Sequence, residues 1–203
     1  MLMPKPESEI LAQREGLLAD LRAIVPGEGV IADNIALRAY ESDALSVSRQ
    51  APMAVVLPET VEQVSNIMQL CDRRQIKVVP RGAGTSLSGG ALPLEDGIIF
   101  GFGKFNKILE IDYENRAVRV QPGVANLAIS QAVDDNGFYY APDPSSQIAC
   151  SIGGNVAENA GGVHCLKYGV TTKNQLGLEM VLLSGEVIRL CGKHLDSGGY
   201  DLM

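Results

Sequence analysis

The sequence predicts an α+β fold of two lobes, a small parallel β-α-β lobe followed by a mainly antiparallel lobe with helices. Three observations predict it. A strand-helix-strand pattern runs from Met53 to Val79. Pairs of short strands split by polar turns follow from Ile108 onward. A glycine-rich stretch lies in each half, Gly82 to Gly90 in the first and Gly153 to Gly162 in the second. Alternation of strand and helix signals a parallel sheet, whereas close-spaced strands signal hairpins.

The elements follow in order. Residues 6 to 25 read as an amphipathic helix, because Ile10, Leu11, Leu17, Leu18, Leu21, Ile24 and Val25 recur near helical period. Pro26-Gly27 stops it. Residues 27 to 50 are mostly loop. Met53 to Leu57 is a short apolar strand, and Thr60 then caps a helix with Gln63 completing a capping box. Val64, Ile67, Met68 and Cys71 form the buried stripe of that helix. Ile76 to Val79 is the next strand, expected to lie parallel to the first through a crossover. Gly97 to Phe102 is another strand. Ile108 to Asp112 and Ala117 to Gln121 flank Glu114-Asn115 as a hairpin, residues 126 to 135 are helical, and Leu178 to Leu183 with Glu186 to Leu190 flank Ser184-Gly185 as a second hairpin. The expected organisation is a lead-in over 1–49, one lobe over 50–107 and a second over 108–203.

With 203 residues, 46% hydrophobic and 20% charged, the chain can bury a real core. Its net charge is −7 and no Lys/Arg block stands out, which argues against nucleic acid as a partner. Met1 to Glu9 lacks the order of a signal peptide, and no apolar run reaches the length of a membrane span, so a cytoplasmic protein without a direct span is expected. Cys71, Cys150, Cys165 and Cys191 show no Cys-x-x-Cys spacing, and His164 and His194 are the only histidines. No metal site is expected within the chain, and the thiols are expected to be reduced and mostly buried.

The glycine stretches carry the chemistry. Glycine permits positive φ and close backbone approach, and successive free N–H groups form a nest for anions. An acidic chain must hold a phosphate mainly through backbone dipoles and a few cations such as Arg81. The first stretch is not a Walker motif, since no Gly-Lys-Ser/Thr follows, so NTP hydrolysis is not expected. Nor is it a Rossmann fingerprint, since Gly82-Ala83-Gly84 has no third glycine at the required spacing. Each lobe carries one stretch, so a ligand between the lobes would touch both.

Val79-Pro80-Arg81-Gly82-Ala83-Gly84-Thr85-Ser86-Leu87-Ser88-Gly89-Gly90 resembles the pyrophosphate loop of the vanillyl-alcohol-oxidase-type (PCMH-type) FAD-binding domain. The resemblance continues through Val120-Gln121-Pro122-Gly123-Val124, Tyr140 to Ser146, Ser151 to Asn155, Asn159 to Gly162 and Lys167-Tyr168-Gly169. Within that family the chain is most similar to the glycolate oxidase FAD-linked catalytic subunits, a group with D-lactate and D-2-hydroxyglutarate dehydrogenases among its relatives. The resemblance implies a two-lobed PCMH-type fold and FAD as cofactor. It implies that Pro80, Arg81, Gly82, Ala83, Gly84, Thr85 and Ser86, with Gly89 and Gly90, wrap the pyrophosphate through backbone N–H groups. It implies that Gly123, Pro142, Asp143, Pro144, Ser145 and Ser146 line the flavin and ribityl side. Ser151, Ile152, Gly153, Gly154, Asn155, Ala157, Asn159, Ala160 and Gly161 would run past the ring and the phosphates. Where some relatives carry a histidine joined to the flavin, Thr85 stands here, so the FAD is expected to be non-covalent.

The reaction implied is oxidation of a small 2-hydroxy acid, glycolate first, to the 2-oxo acid by hydride transfer to flavin N5. The implied partners are a second flavin-type subunit and an iron–sulfur subunit. Relatives place the base and the substrate anion's partners in a C-terminal cap domain beyond Tyr200-Asp201-Leu202-Met203, so the chain alone is expected to be inactive. His164 is the one catalytic candidate within the chain, set against a plain packed or surface histidine. Asp134-Asp135 are expected to be solvated helix-end charges, and Asp43 has no assignable task. A non-catalytic nucleotide-binding or assembly module, and a carbohydrate-oxidising relative of the same FAD family, stand as alternatives.

Overall fold

A computed structural model describes residues 3–193, so His194 and the Tyr200–Met203 end lie outside the described residues. The chain divides into two compact units. The first comprises Met1–Lys104 with Val181–Glu186, and the second comprises Phe105–Met180 with Val187–Met203.

The first unit opens with α1 (Ser8–Leu11) and α2 (Arg14–Ile24) rather than the single helix expected. The Gln13 N–H bonds to the Ile10 carbonyl, one residue short of the α spacing, and this tight turn separates the two. Val25 is extended, as a residue before proline is pushed to be, and that ends α2. β1 (Val30–Ile31) and α3 (Asn34–Leu37) follow in the segment read as loop; the Asp33 side chain caps α3 by accepting from the Ile35 and Ala36 N–H groups. β2 (Ala54–Val56) leads to α4 (Val61–Arg74), and β3 (Lys77–Arg81) and β4 (Gly97–Gly101) complete a sheet of order β1-β2-β4-β3.

Thr60 caps α4 by accepting from the Gln63 N–H, but Gln63 reaches back to Glu59 N–H rather than to Thr60. The buried stripe of α4 is Val64, Ile67, Leu70 and Cys71, with Met68 only half-buried at its margin.

The expected direct pairing of the strands around α4 is corrected: β2 and β3 each run parallel to β4, which lies between them. Burial explains the order. Gly97, Ile98, Ile99, Phe100 and Gly101 are all buried, so the strand apolar on both faces takes the centre. Alternation then divides the core. Ala54, Val56, Ile98 and Phe100 join Leu17, Leu21 and Ile67 on one side, while Val55, Val79 and Ile99 meet Leu37 on the other. The turn at Ser184-Gly185 belongs to this unit, where Ser65 Oγ donates to the Gly185 carbonyl at 2.5 Å.

The second unit contains the hairpin of β5 (Ile108–Asp112) and β6 (Ala117–Val120), closed where Asp112 accepts from Asn115 and Arg116 turns left-handed. α5 (Asn126–Val133) packs Ile129 against Val124 and Ile152. α6 (Ile152–Glu158) carries the start of the second glycine stretch, the short α7 (Cys165–Tyr168) follows it, and β7 (Gly177–Val181) pairs with β8 (Val187–Cys191). The two hairpins form separate two-stranded sheets. Among the described residues no helix is long and apolar enough to cross a membrane.

Candidate functional site

In the first unit, β3 delivers the chain from a buried Arg81 into the glycine loop. Among the described residues, the N–H groups from Gly82 to Ser86 donate to no protein acceptor. Those residues are exposed or half-buried. The loop is fastened through carbonyls instead: at its apex the Gly84 carbonyl accepts from Ala44 N–H at 3.0 Å, and toward its end the Gly89 carbonyl accepts from Leu92 N–H at 3.2 Å. Gly84 and Gly89 take φ of +70° and +77°, a region other residues enter only with strain. A row of N–H donors held without partners is a nest for an anion.

The sequence expects the Arg81 cation to help meet that anion. Its guanidinium lies within the protein, where it donates to the Ser42 carbonyl at 2.8 Å and reaches the Ala91 carbonyl at 3.5 Å. It also sits 5.7 Å from the centre of the Tyr40 ring. Burial lowers its pKa, against the opposing pull of Asp43 and Tyr40. Asp43, without a task in the sequence, is buried here; Oδ1 accepts from Leu45 N–H at 2.8 Å and Oδ2 has no hydrogen-bond partner.

In the second unit, the Pro142–Ser146 segment and α6 share one buried support that sequence reasoning missed. Asn126 Nδ2 donates to the Pro142 carbonyl at 3.1 Å and to Asn155 Oδ1 at 2.9 Å. Asn155 in turn donates to Cys150 Sγ at 3.3 Å. The one signal in the sequence is an asparagine opening a predicted helix, which reads more simply as a cap. Around it, Pro144 and Ser146 carbonyls accept from Gln147 and Cys150, closing a turn that leaves Ser145 exposed. Thr171, fully buried, donates its hydroxyl to the Ala160 carbonyl at 2.6 Å and so fastens the end of the stretch.

Not every backbone donor in this half is free. Gly123 N–H is taken by Phe105, Ile152 N–H by Val124 and Gly153 N–H by Pro122, each at 2.8 Å. Gly153 is a packing glycine, since a Cβ there would stand 2.7 Å from Pro122 Cβ. Gly154 is different: its Cβ would meet only Ser151 Oγ, at 3.3 Å. That hydroxyl is buried and has no hydrogen-bond partner. Ala157, Asn159 and Gly161 are exposed, with Asn159 left-handed at the end of α6.

His164 is exposed, and its Nδ1 lies 2.6 Å from Asp143 Oδ2 while its backbone N–H donates to Oδ1. Burial works to raise the Asp143 pKa, but the two hydrogen bonds from His164 outweigh it and hold the carboxyl below its ordinary value. Of the expected alternatives, the structure shows a surface histidine, bound to the Asp143 carboxylate. Nearby, Tyr139 and Tyr168 meet edge to face, and the Tyr168 phenol titrates below its usual range through hydrogen bonds first with Tyr139 and then with Lys167. Asp134 and Asp135 are exposed. Among the described residues no group of three or more His, Cys, Asp or Glu could hold a metal ion.

In the first unit the partnerless N–H row fits a phosphate, and in the second the orphaned Ser151 hydroxyl and the open face at Gly154 fit a flat group with polar edges. A family model described as "FAD binding domain" matches residues 52–191. The chain is 55% identical over 190 residues to the glycolate oxidase subunit GlcD of Escherichia coli (strain K12), covering 94% of this chain and 38% of that protein. It is 34% identical over 188 residues to D-2-hydroxyglutarate dehydrogenase of Stutzerimonas stutzeri (strain A1501), covering 92% of this chain and 40% of that protein. Among solved structures, p-cresol methylhydroxylase with substrate bound superposes with a TM-score of 0.79 at 25% identity, over 93% of this chain and 37% of that one. The chain thus spans well under half the length of the relatives it matches.

Proposed function

Because the chain belongs to the FAD binding domain family, we propose that it is the cofactor-holding part of a flavin-dependent oxidoreductase of small 2-hydroxy acids, glycolate first. The observation that carries the reading is the row of partnerless N–H groups from Gly82 to Ser86 on a loop fixed through the carbonyls of Gly84 and Gly89. The similarity to the glycolate oxidase subunit supports the substrate class. The similarity to D-2-hydroxyglutarate dehydrogenase keeps a larger 2-hydroxy acid as the second reading.

Bound FAD supplies the hydride acceptor, and the chemistry is the cofactor's own. The chain's part is to bind and orient. Gly82 to Ser86, with Gly89 and Gly90, offset the pyrophosphate charge through backbone dipoles, which suits a protein of net charge −7. Pro142, Asp143, Ser145 and Ser146, with Gly154 and Ser151, serve the flavin and ribityl end, while Asn126 keeps both segments in place. Thr85 sits in the loop where a histidine would be needed for a covalent link, so the FAD is held non-covalently. Electrons leave to a second flavin-type subunit and an iron–sulfur subunit.

Titration of the purified chain with FAD, followed by flavin fluorescence and by the visible bands after desalting, tests the reading. Retained flavin that is released on denaturation is the expected result. A chain that takes up no FAD overturns the reading, and flavin retained after denaturation overturns its non-covalent part. Glycolate and D-2-hydroxyglutarate supplied in turn to the full-length enzyme with a dye acceptor separate the two substrate readings.

A further inference from the structure

Arg81 is the loop's one arginine, yet its charge is spent inside the first unit. One guanidinium nitrogen, Nη1, donates to the carbonyls of Ser42 and Ala91, and the group sits over the Tyr40 ring. Gly84 lies against the same group: a Cβ there would come 2.4 Å from one guanidinium nitrogen and 2.7 Å from its carbon. Gly84 also passes its carbonyl to Ala44, so the 40–45 segment, Arg81 and the loop apex form one bonded unit. Beside it the buried Asp43 keeps one carboxylate oxygen without a hydrogen bond, close enough to raise the arginine's pKa.

We infer that Arg81 is a positioning residue for the cofactor loop, a planar prop under Gly84 that holds the Gly82–Ser86 N–H groups in their anion-binding arrangement, and not the counter-ion of the phosphates. The inference rests on the FAD reading. The prop requires a flat group, because Nη1 meets the carbonyls while Gly84 packs against Nη2, Cζ and Nε of the same plane. A lysine carries the same charge but is a single rotating point donor. Shape, not charge, is therefore what the loop needs at this position.

The test uses the purified chain, with FAD affinity read by fluorescence and folding read by circular dichroism and thermal midpoint. Wild type is titrated first; failure to bind FAD overturns the functional reading and this inference with it. Given binding, Arg81→Lys and Arg81→Met are each expected to weaken FAD by about tenfold or more and to the same degree, since neither supplies the plane under Gly84. Gly84→Ala is expected to weaken FAD alone, and its defect is expected to be smaller on the Arg81→Met background, because the guanidinium it strikes is gone. Three results overturn the inference and leave the FAD reading standing. The first is Arg81→Lys binding within about threefold of wild type while Arg81→Met fails, which makes charge the requirement. The second is Arg81→Met binding as wild type. The third is additive defects in the double variant, which separates Arg81 from the loop. Should Arg81→Met fail to fold, the Lys variant and Gly84→Ala carry the decision, with equal binding of wild type and Gly84→Ala counting against the prop.

Discussion

Asn126 donates from one buried amide to two segments at once, to Asn155 Oδ1 on α6 and to the Pro142 carbonyl at the head of the Pro142–Ser146 segment. The residue is 1% exposed, so water cannot replace either bond. The candidate segments of the second unit are therefore organised by a buried side chain behind them.

Replacing Asn126 with Ala should cost about 1–3 kcal/mol of stability, since Asn155 Oδ1 and the Pro142 carbonyl lose a buried donor. Urea unfolding measures this, and FAD affinity should fall with it. An unchanged midpoint would show that the amide pair is not holding the segments.

Gly153 and Gly154 should separate packing from binding. Gly153→Ala drives a Cβ to 2.7 Å from Pro122 Cβ and 3.0 Å from the Pro122 carbonyl, so a loss of about 1–3 kcal/mol is expected. Gly154→Ala meets only a serine hydroxyl at 3.3 Å and adds helix propensity, so stability should hold or rise by up to about 1 kcal/mol. If the flavin lies on that face, Gly154→Ala should nonetheless weaken FAD binding. Equal thermal midpoints for the two variants would contradict the packing account.

Asp143 links acid stability to His164. A carboxyl whose folded pKa lies below its unfolded value stabilises the fold above the unfolded value, and that contribution fades as pH falls through the folded one. His164→Ala removes the imidazole bond but leaves the backbone N–H bond to Oδ1. Wild type should therefore melt higher than the variant near about pH 5, with the gap closing toward about pH 3 and below. A gap that widens on acidification would reverse the assigned sign.

Cys71 should behave as a core residue rather than as a reactive thiol. Burial pushes its thiol up to about 12, against the pull of Arg74, whereas Cys191 is exposed. At mildly alkaline pH a thiol reagent should modify Cys191 in the native chain and reach Cys71 only after unfolding. Peptide mass mapping of the two sites reads the difference.

What the sequence determined by itself was local. Thr60 with Gln63 marks the start of α4, Pro26 marks the end of α2, Asp112 to Ala117 marks a hairpin turn, and the glycine spacings mark both loops, because caps, turns and positive φ are set by a few adjacent residues. The family was legible for the same reason, since its signature lies in contiguous loops. Tertiary structure decided the rest. Only pairing across the sheet put β4 between β2 and β3, because the choice among parallel neighbours depends on which strand is buried on both faces. Only packing turned Arg81 inward onto Ser42 and Ala91, and only packing joined Asn126 to Asn155 across 29 residues. A buried polar group is satisfied by whatever partners the fold brings to it, and its place in the chain does not name them.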